Sequence, residues 1–393
     1  MKTDIRLNRT LLCLIGVQVC INGCMAGIRM AAPLLSLSQG YSAAAVGVLL
    51  ALFAFIQLFL AIPAGRYADR HSLKRLVAIG MGFCVLGAAL VAAWPVFPVL
   101  CVAALLTGGA TGAVVITLQR HAGRLASDPT QLKQVFSWLA IAPAIANFVG
   151  PFFAGLMIDH AGFRAAFALM ALLALSSWLL VRHTPEIPMP PQAPPAGDSN
   201  ERSWDLLADP RMRHLLLINW VLTSCWDVHT FVLPVLGYER GLSASVIGTL
   251  LGSFAIAATA VRLVMPMLAA RLQEWAVITA AMVATALIYG VYPLLASPLA
   301  MGVCSVLLGL SLGSVQPMVM SSLHLITPPH RQGEALGLRL MSINVSSVLM
   351  PLVFGAVGAT IGVASVFWTV GATVAGSARA GWKLKSWSRT DHS

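Results

Sequence analysis

Long apolar runs alternate with short polar breaks along the whole chain. The runs cover about 11–32, 46–63, 76–93, 100–119, 136–158, 163–182, 215–236, 244–265, 275–292, 299–323, 337–358 and 363–380. At about 1.5 Å of rise per helical residue, a run of about 20 residues crosses a hydrocarbon core of about 30 Å. The pattern therefore predicts an all-α polytopic membrane protein with twelve transmembrane helices. The last run is the weakest, a short span of 364–377 before Arg379. It reads as a short span or as a truncated form of a longer one.

The breaks divide into two kinds. Lys2, Arg6 and Arg9 precede the first run, Gly65–Arg75 separates the second from the third, and Arg120, His121, Arg124 and Lys133 follow the fourth. The intervening breaks, such as Ser38–Ser42 and Asp159–Gly162, carry little or no positive charge. Basic residues in short loops mark the cytoplasmic side, so both termini are expected there, in the inner membrane. The opening residues imitate a signal peptide, but the first run is too long for one and reads as the first span. Pro33 and Pro234 are expected to end the first and seventh helices.

Between the sixth and seventh runs, residues 184–200 hold six prolines with Gly, Ser and Asp, a composition suited to an extended linker. The expected organisation is an N-terminal six-helix half (1–183), a cytoplasmic linker (184–213), a C-terminal six-helix half (214–380) and a cytoplasmic tail (381–393). The halves repeat one another at an offset of about 200 residues. Pro33-Leu34-Leu35 with Gly40, Ser42, Ala43 and Gly47 returns as Pro234-Val235-Leu236 with Gly241, Ser243, Ala244 and Gly248. Gly108 and Gly112 return as Gly309 and Gly313; Pro151, Gly155, Gly162 and Phe167 return as Pro351, Gly355, Gly362 and Phe367.

Composition narrows the function. With 58% hydrophobic and 10% charged residues the chain is not a soluble globule. The net charge of +11 is accounted for by cytoplasmic loops, and no helix or ribbon for reading bases accompanies it. The seven cysteines (Cys13, Cys20, Cys24, Cys84, Cys101, Cys225, Cys304) all lie in apolar runs without a Cys-x-x-Cys pair, so no metal site is expected and they read as small core residues. External breaks of a few residues and a proline-rich linker leave no place for enzymatic machinery. No cofactor is implied.

The break Gly65-Arg66-Tyr67-Ala68-Asp69-Arg70-His71-Ser72-Leu73-Lys74-Arg75 resembles the loop between the second and third helices of the major facilitator superfamily. Gly65, Asp69, Arg70, Lys74 and Arg75 match, while Ser72 and Leu73 replace the family's usual glycine and arginine and weaken the match. The resemblance implies a gating latch in which Asp69 caps a helix end or pairs with an arginine, here Arg120. Gly150-Pro151-Phe152-Phe153-Ala154-Gly155 in the fifth run is similar to the Gly-Pro-x-x-Gly-Gly pattern of the antiporter branch, implying close helix packing and export against a proton gradient. Ala104 and Leu105 stand where that branch carries an arginine, which would shift proton coupling onto other residues. The resemblance covers the chain apart from linker and tail, and implies a rocker-switch carrier with its substrate site near the midplane.

Ionisable groups inside spans are costly and therefore candidates for function. Asp227 is the only acid in mid-span, within Trp226-Asp227-Val228-His229. Low dielectric favours the neutral acid, so Asp227 could load and release a proton. It could equally be held by a structural salt bridge, with Arg29 as the partner. Arg29 could also meet an anionic substrate group or extend outward. Asn22, Gln57, Asn147, Gln316 and Asn344 are mid-span hydrogen-bonding groups that could line a cavity or join helices. Gln316-Pro317 is expected to mark irregular backbone. The expected function is a secondary transporter moving a small organic solute by alternating access, proton-coupled and outward-directed, working as a monomer. An importer, a uniporter or a transport-inactive sensor with a carrier fold are the alternatives.

Overall fold

The computed structural model describes residues 2–125, 135, 138–139, 141–182, 184, 203–268, 273–327 and 332–388. Most of the linker 184–213 and the Lys133 position lie outside the described residues. Among those described, the protein is helical throughout: α1 Lys2–Ser38, α2 Ala43–Arg70, α3 Leu73–Ala93 and α4 Phe97–Leu125 come first. The helix Ala142–Val181 holds the fifth and sixth runs in one 40-residue element, broken at Gly162 into α5 (142–161) and α6 (163–181). Then follow α7 Pro210–Glu239, α8 Ala244–Leu268, α9 Glu274–Val291, α10 Pro298–Ile326, α11 Gln332–Ile361 and α12 Val363–Ser388.

Among the described residues the helices form eleven continuous elements, because one positive-φ glycine joins α5 to α6 without a loop. Gly162 has φ 81° and ψ 174°. A residue with a Cβ rarely adopts that conformation. The chain has four positive-φ residues among those described, Gly40, Gly162, Gly241 and Gly362, and they fall at equivalent breaks of the two halves. The internal repeat is therefore written into the backbone as well as the sequence.

Three further expectations are corrected. Pro33 lies inside α1 and Pro234 inside α7, and neither ends its helix. Each forfeits one backbone N–H bond while the flanking turns continue, which transmembrane helices tolerate. Helix α10 likewise continues through Pro317, so that proline does not mark a break. The last helix is not confined to the short apolar run: α12 continues past Arg379 to Ser388, although its apolar part is only Val363–Ser377. The positive residues end the membrane-compatible stretch without ending the helix. Among the described residues, ten helices, with α5 and α6 counted as one, contain a segment long and apolar enough to cross a membrane. Large exposed apolar side chains, such as Leu172, Leu287 and Leu299, are then ordinary lipid-facing groups.

The chain forms two compact units. The first comprises Met1–Pro191 with Pro234–Ala255, and the second Gln192–Leu233 with Ile256–Ser393. In the first, α1 packs along α5 and α6, and α4 along α2 and α3. Helices in a bilayer gain little from burying apolar surface against one another, so close approach through small residues carries their packing. A Cβ on Gly150 would fall on the carbonyl oxygen of Gly23 and lie 2.8 Å from the nitrogen of Gly27. The Gly150-Pro151 pattern of α5 thus permits the tight α1 crossing its sequence implied. Gly155 meets the Ala244 carbonyl in the same way, and Gly248 meets that of Pro151. Beside them the Asp159 carboxylate accepts from the backbone N–H groups of Ala244 (3.0 Å) and Ser245 (2.8 Å), satisfying two donors of the first turn of α8.

The second unit repeats the scheme, with α9 packed on α10 and α12. Gly313 of α10 meets Ala258 of α8, as Gly112 of α4 meets Gln57 of α2 at the equivalent place of the other half. Gly82 faces open space. Replacing Gly150 with valine should therefore destabilise the protein by more than the roughly 1–3 kcal/mol typical of overpacking, because backbone is the obstacle. Gly82→Ala should leave the melting temperature in detergent within about 2 °C of the parent. Equal melting temperatures for the two variants would contradict this packing.

Candidate functional site

The chemistry of the second unit gathers where α7 and α11 run side by side. Asp227 is buried, with 3% of its surface exposed. Its Oδ2 accepts a hydrogen bond of 3.2 Å from the Ser346 hydroxyl of α11. Ser346 Oγ also lies 3.3 Å from Ser224 Oγ, one turn before Asp227 on α7, and Ser224 donates to the Trp220 carbonyl at 2.8 Å. The result is a hydroxyl chain leading from the carboxylate to a backbone acceptor. Seven residues earlier on α11, Arg339 Nε donates to Asn219 Oδ1 of α7 at 3.2 Å. Spacings of seven and eight residues return to one helix face, so these contacts form two rungs between the same pair of helices.

Aromatic groups pack against the same stretch of α7. Tyr289 of α9 donates its hydroxyl to the Cys225 carbonyl. Tyr292 bonds Ser305 through its hydroxyl at 2.9 Å, and stacks on Phe367 with ring centroids 5.1 Å apart. His229, fully buried, sits edge-on to Tyr292 at 5.8 Å. The guanidinium of Arg262, on α8, lies 5.3 Å above the ring of Trp226 in a cation–π arrangement.

The structure thus brings Trp226, Asp227 and His229 together with Ser224, Ser346, Arg262 and Tyr292. It does not bring every candidate to this place. Asn344 is half-buried on α11, two residues before Ser346, while Gln316 is exposed on α10. In the first unit, Gln57 directs Nε2 at Met25 Sδ, 3.9 Å away. Arg29 and Asn22 are half-buried on α1, with the Asn22 Oδ1 enclosed and lacking a hydrogen bond, and Asn147 is exposed on α5. In the basic break, Ser72 accepts from the Arg75 N–H at 3.4 Å as the N-cap of α3, with Lys74 half-buried and Arg75 exposed. Side chains at 65–70 are outside those described, so the expected pairing of Asp69 with Arg120 falls outside too. Among the described residues no group of acidic, His and Cys side chains is arranged to hold a metal.

Sequence reasoning passed over Arg262, Arg339, Asn219 and Ser346. The two arginines stand near the ends of their apolar runs, where they read as flanking charges, yet Arg339 is 5% exposed. The signal was present: each is a cation inside an apolar run, which is as costly as an acid there. Serines carry no such signal, since their hydroxyls commonly bond the preceding helical turn.

Removing the Ser346 hydroxyl leaves a buried carboxyl group short of a donor. Ser346→Ala should therefore destabilise the protein by about 1–3 kcal/mol, read as a lowered melting temperature in detergent. Ser311→Ala, which removes only an exposed hydroxyl bonded to its own helix, should change it little. A Ser346→Ala variant as stable as the parent would show that the contact is not maintained.

Comparison with known proteins agrees with the fold and the membrane-spanning pattern. The family model described as Major Facilitator Superfamily matches residues 14–321 and 215–384. No curated protein matches in sequence. Among solved structures, a point mutant of the nucleoside transporter NupG superposes with a TM-score of 0.77 at 16% identity, covering 97% of this chain and 99% of that one. A POT family transporter in complex with a thioalcohol-conjugated peptide gives 0.76 at 12% identity, over 97% and 96%. A bacterial homolog of the human lysosomal transporter Spinster, inward-facing and unoccupied, gives 0.74 at 14% identity, over 96% and 98%. At such identities the likeness is one of fold. With the family model matched over most of its length, the chain belongs to the Major Facilitator Superfamily, integral membrane transporters of small solutes rather than enzymes.

Proposed function

We propose that this transporter exports a small amphipathic organic solute across the inner membrane, that inward proton movement drives it, and that Asp227 is the proton-linked residue. The observation that carries the reading is the hydroxyl chain from Asp227 through Ser346 to Ser224. When Asp227 is ionised, Ser346 donates to it. When Asp227 is protonated, its own O–H can donate to Ser346, whose hydroxyl then turns toward Ser224. Both charge states keep their hydrogen bonds, which a buried group that cycles between them requires. Asp227 is the only mid-span acid in the sequence, so no second carboxylate competes for the role.

Outward direction is supported by the Gly150-Pro151-x-x-x-Gly155 pattern and by its packing against Gly23 and Gly27. An orientation with both termini cytoplasmic follows from the basic breaks, and a single chain holds the whole proposed proton site. Gly65, Asp69, Arg70, Lys74, Arg75 and Arg120 retain the proposed role of a cytoplasmic latch, through the resemblance of that break to the family's gating loop. His229 and Trp226 act here as the packed surroundings that keep water from the carboxyl group.

A resistance and uptake screen of cells lacking or overproducing the protein identifies a transported solute. In liposomes, Asp227→Asn should then abolish accumulation driven by a pH gradient, while exchange of labelled for unlabelled solute continues. Asparagine keeps the shape and can still bond Ser346, but it cannot titrate. Gradient-driven accumulation equal to the parent's would contradict the assignment of Asp227, and absence of exchange by the parent would contradict a carrier altogether.

A further inference from the structure

A count of donors and acceptors along α7, α8 and α11 shows an imbalance beside the proton-linked carboxyl group. Arg339 is buried and donates through Nε to Asn219 Oδ1. Arg262 is half-buried, and its Nε is enclosed without a hydrogen-bond acceptor. The Nδ2 group of Asn219 is likewise enclosed and unaccepted. Among the described residues, neither arginine pairs with a carboxylate. Among the described residues, two cations and a carboxamide therefore share one side-chain acceptor, the Asn219 oxygen.

Such an arrangement is expensive in a membrane domain. Cations in low dielectric are normally met by anions, and enclosed N–H groups by acceptors. Arg262 gains partial relief from the π face of Trp226, and Arg339 from one neutral oxygen. Among the described residues the cluster holds no negatively charged group with several oxygen acceptors. Guanidinium groups suit such a group by geometry, since their planar N–H forks match the oxygens of a carboxylate or sulfonate. Trp226 adds an apolar face about two turns along α7 from Asn219 and on the same side of that helix.

From this imbalance we infer that Arg262, Arg339 and Asn219 form a binding site for the anionic head of an amphipathic organic solute, with Trp226 contacting its apolar body. This inference rests on the carrier reading and specifies its substrate class. It also places the solute's charge on the α7–α11 rung one or two turns from Asp227, so that solute and proton occupy neighbouring groups. The cluster's own oxygen and the Asp227 carboxyl group remain with Arg339 and Ser346 respectively when the site fills.

The test uses the full chain in phosphatidylcholine nanodiscs, with benzoate, 4-butylbenzoate and benzenesulfonate as anionic probes. Benzyl alcohol and benzylamine serve as neutral and cationic counterparts of similar shape. Binding is followed by calorimetry and by tryptophan fluorescence. The anions should bind and the counterparts should not, with 4-butylbenzoate tighter than benzoate. Arg262→Gln and Arg339→Gln should each weaken anion binding by about 10- to 100-fold, as loss of a charged hydrogen-bond partner does. Arg262→Gln should also leave the melting temperature undiminished, because it removes a costly cation whose enclosed Nε has no acceptor; this separates loss of the site from loss of the fold.

Asp227→Asn should keep anion binding, so failure of the proton assignment and failure of the anion site read out separately. Equal binding of benzyl alcohol and benzoate, no binding of any anion, or undiminished binding by the Arg262→Gln/Arg339→Gln double variant would each overturn the inference. Displacement of the probes by added phosphatidylglycerol at constant phosphatidylcholine would also overturn it, in favour of a lipid-headgroup site.

Discussion

A bilayer core offers no water to hydrogen-bond the backbone, so every N–H and C=O of a spanning segment must be satisfied within the protein. That constraint explains why the described chain is helical throughout and why its polar chemistry is confined to side chains. It also governs the breaks. Four glycines with positive φ reverse or redirect the chain at equivalent places of the two halves, using almost no residues that would expose unpaired backbone. Where proline removes a donor inside α1, α7 and α10, the helix continues regardless.

Packing follows from the same setting. With lipid on the outside, apolar burial does not distinguish a helix neighbour from an acyl chain, and close backbone approach becomes the specific attraction. Gly23, Gly27 and Gly150 bring α1 and α5 together, and Gly313 brings α10 onto α8. The side chains that remain polar inside the spans are then isolated from water and must satisfy one another. Asp227 manages this through Ser346 and Ser224. Arg262, Asn219 and Arg339 manage it only in part, with the Arg262 Nε and the Asn219 Nδ2 enclosed and without an acceptor.

Much of the architecture is legible in the sequence because run length and the distribution of Lys and Arg report directly on bilayer thickness and sidedness. The repeat is legible for a related reason: Gly40, Gly162, Gly241 and Gly362 hold conformations that other residues rarely adopt. Helix ends are less legible. Proline at Pro33 and Pro234 reads as a terminator, a rule that suits soluble helices better than buried ones. The end of α12 escapes the sequence because charge marks where the apolar layer stops, whereas helix propensity is indifferent to it. Asp227 stands out as a lone acid, but its partners do not, since serine on an apolar helix has no periodic signature. Arg262 and Arg339 are hidden by their nearness to the ends of apolar runs, where snorkelling would be an ordinary fate.

The central claim is that Asp227 exchanges a proton within the membrane domain while its hydroxyl chain keeps both charge states satisfied. Infrared difference spectroscopy on the lipid-reconstituted protein, titrated from acid to alkaline pH, observes this without knowledge of the solute. A carboxylic C=O stretching band should appear as pH falls and vanish reversibly as it rises, and it should be missing from Asp227→Asn and shifted in frequency by Ser346→Ala. A titrating band that persists unchanged in Asp227→Asn, or no titrating carboxyl band at all, would contradict the account.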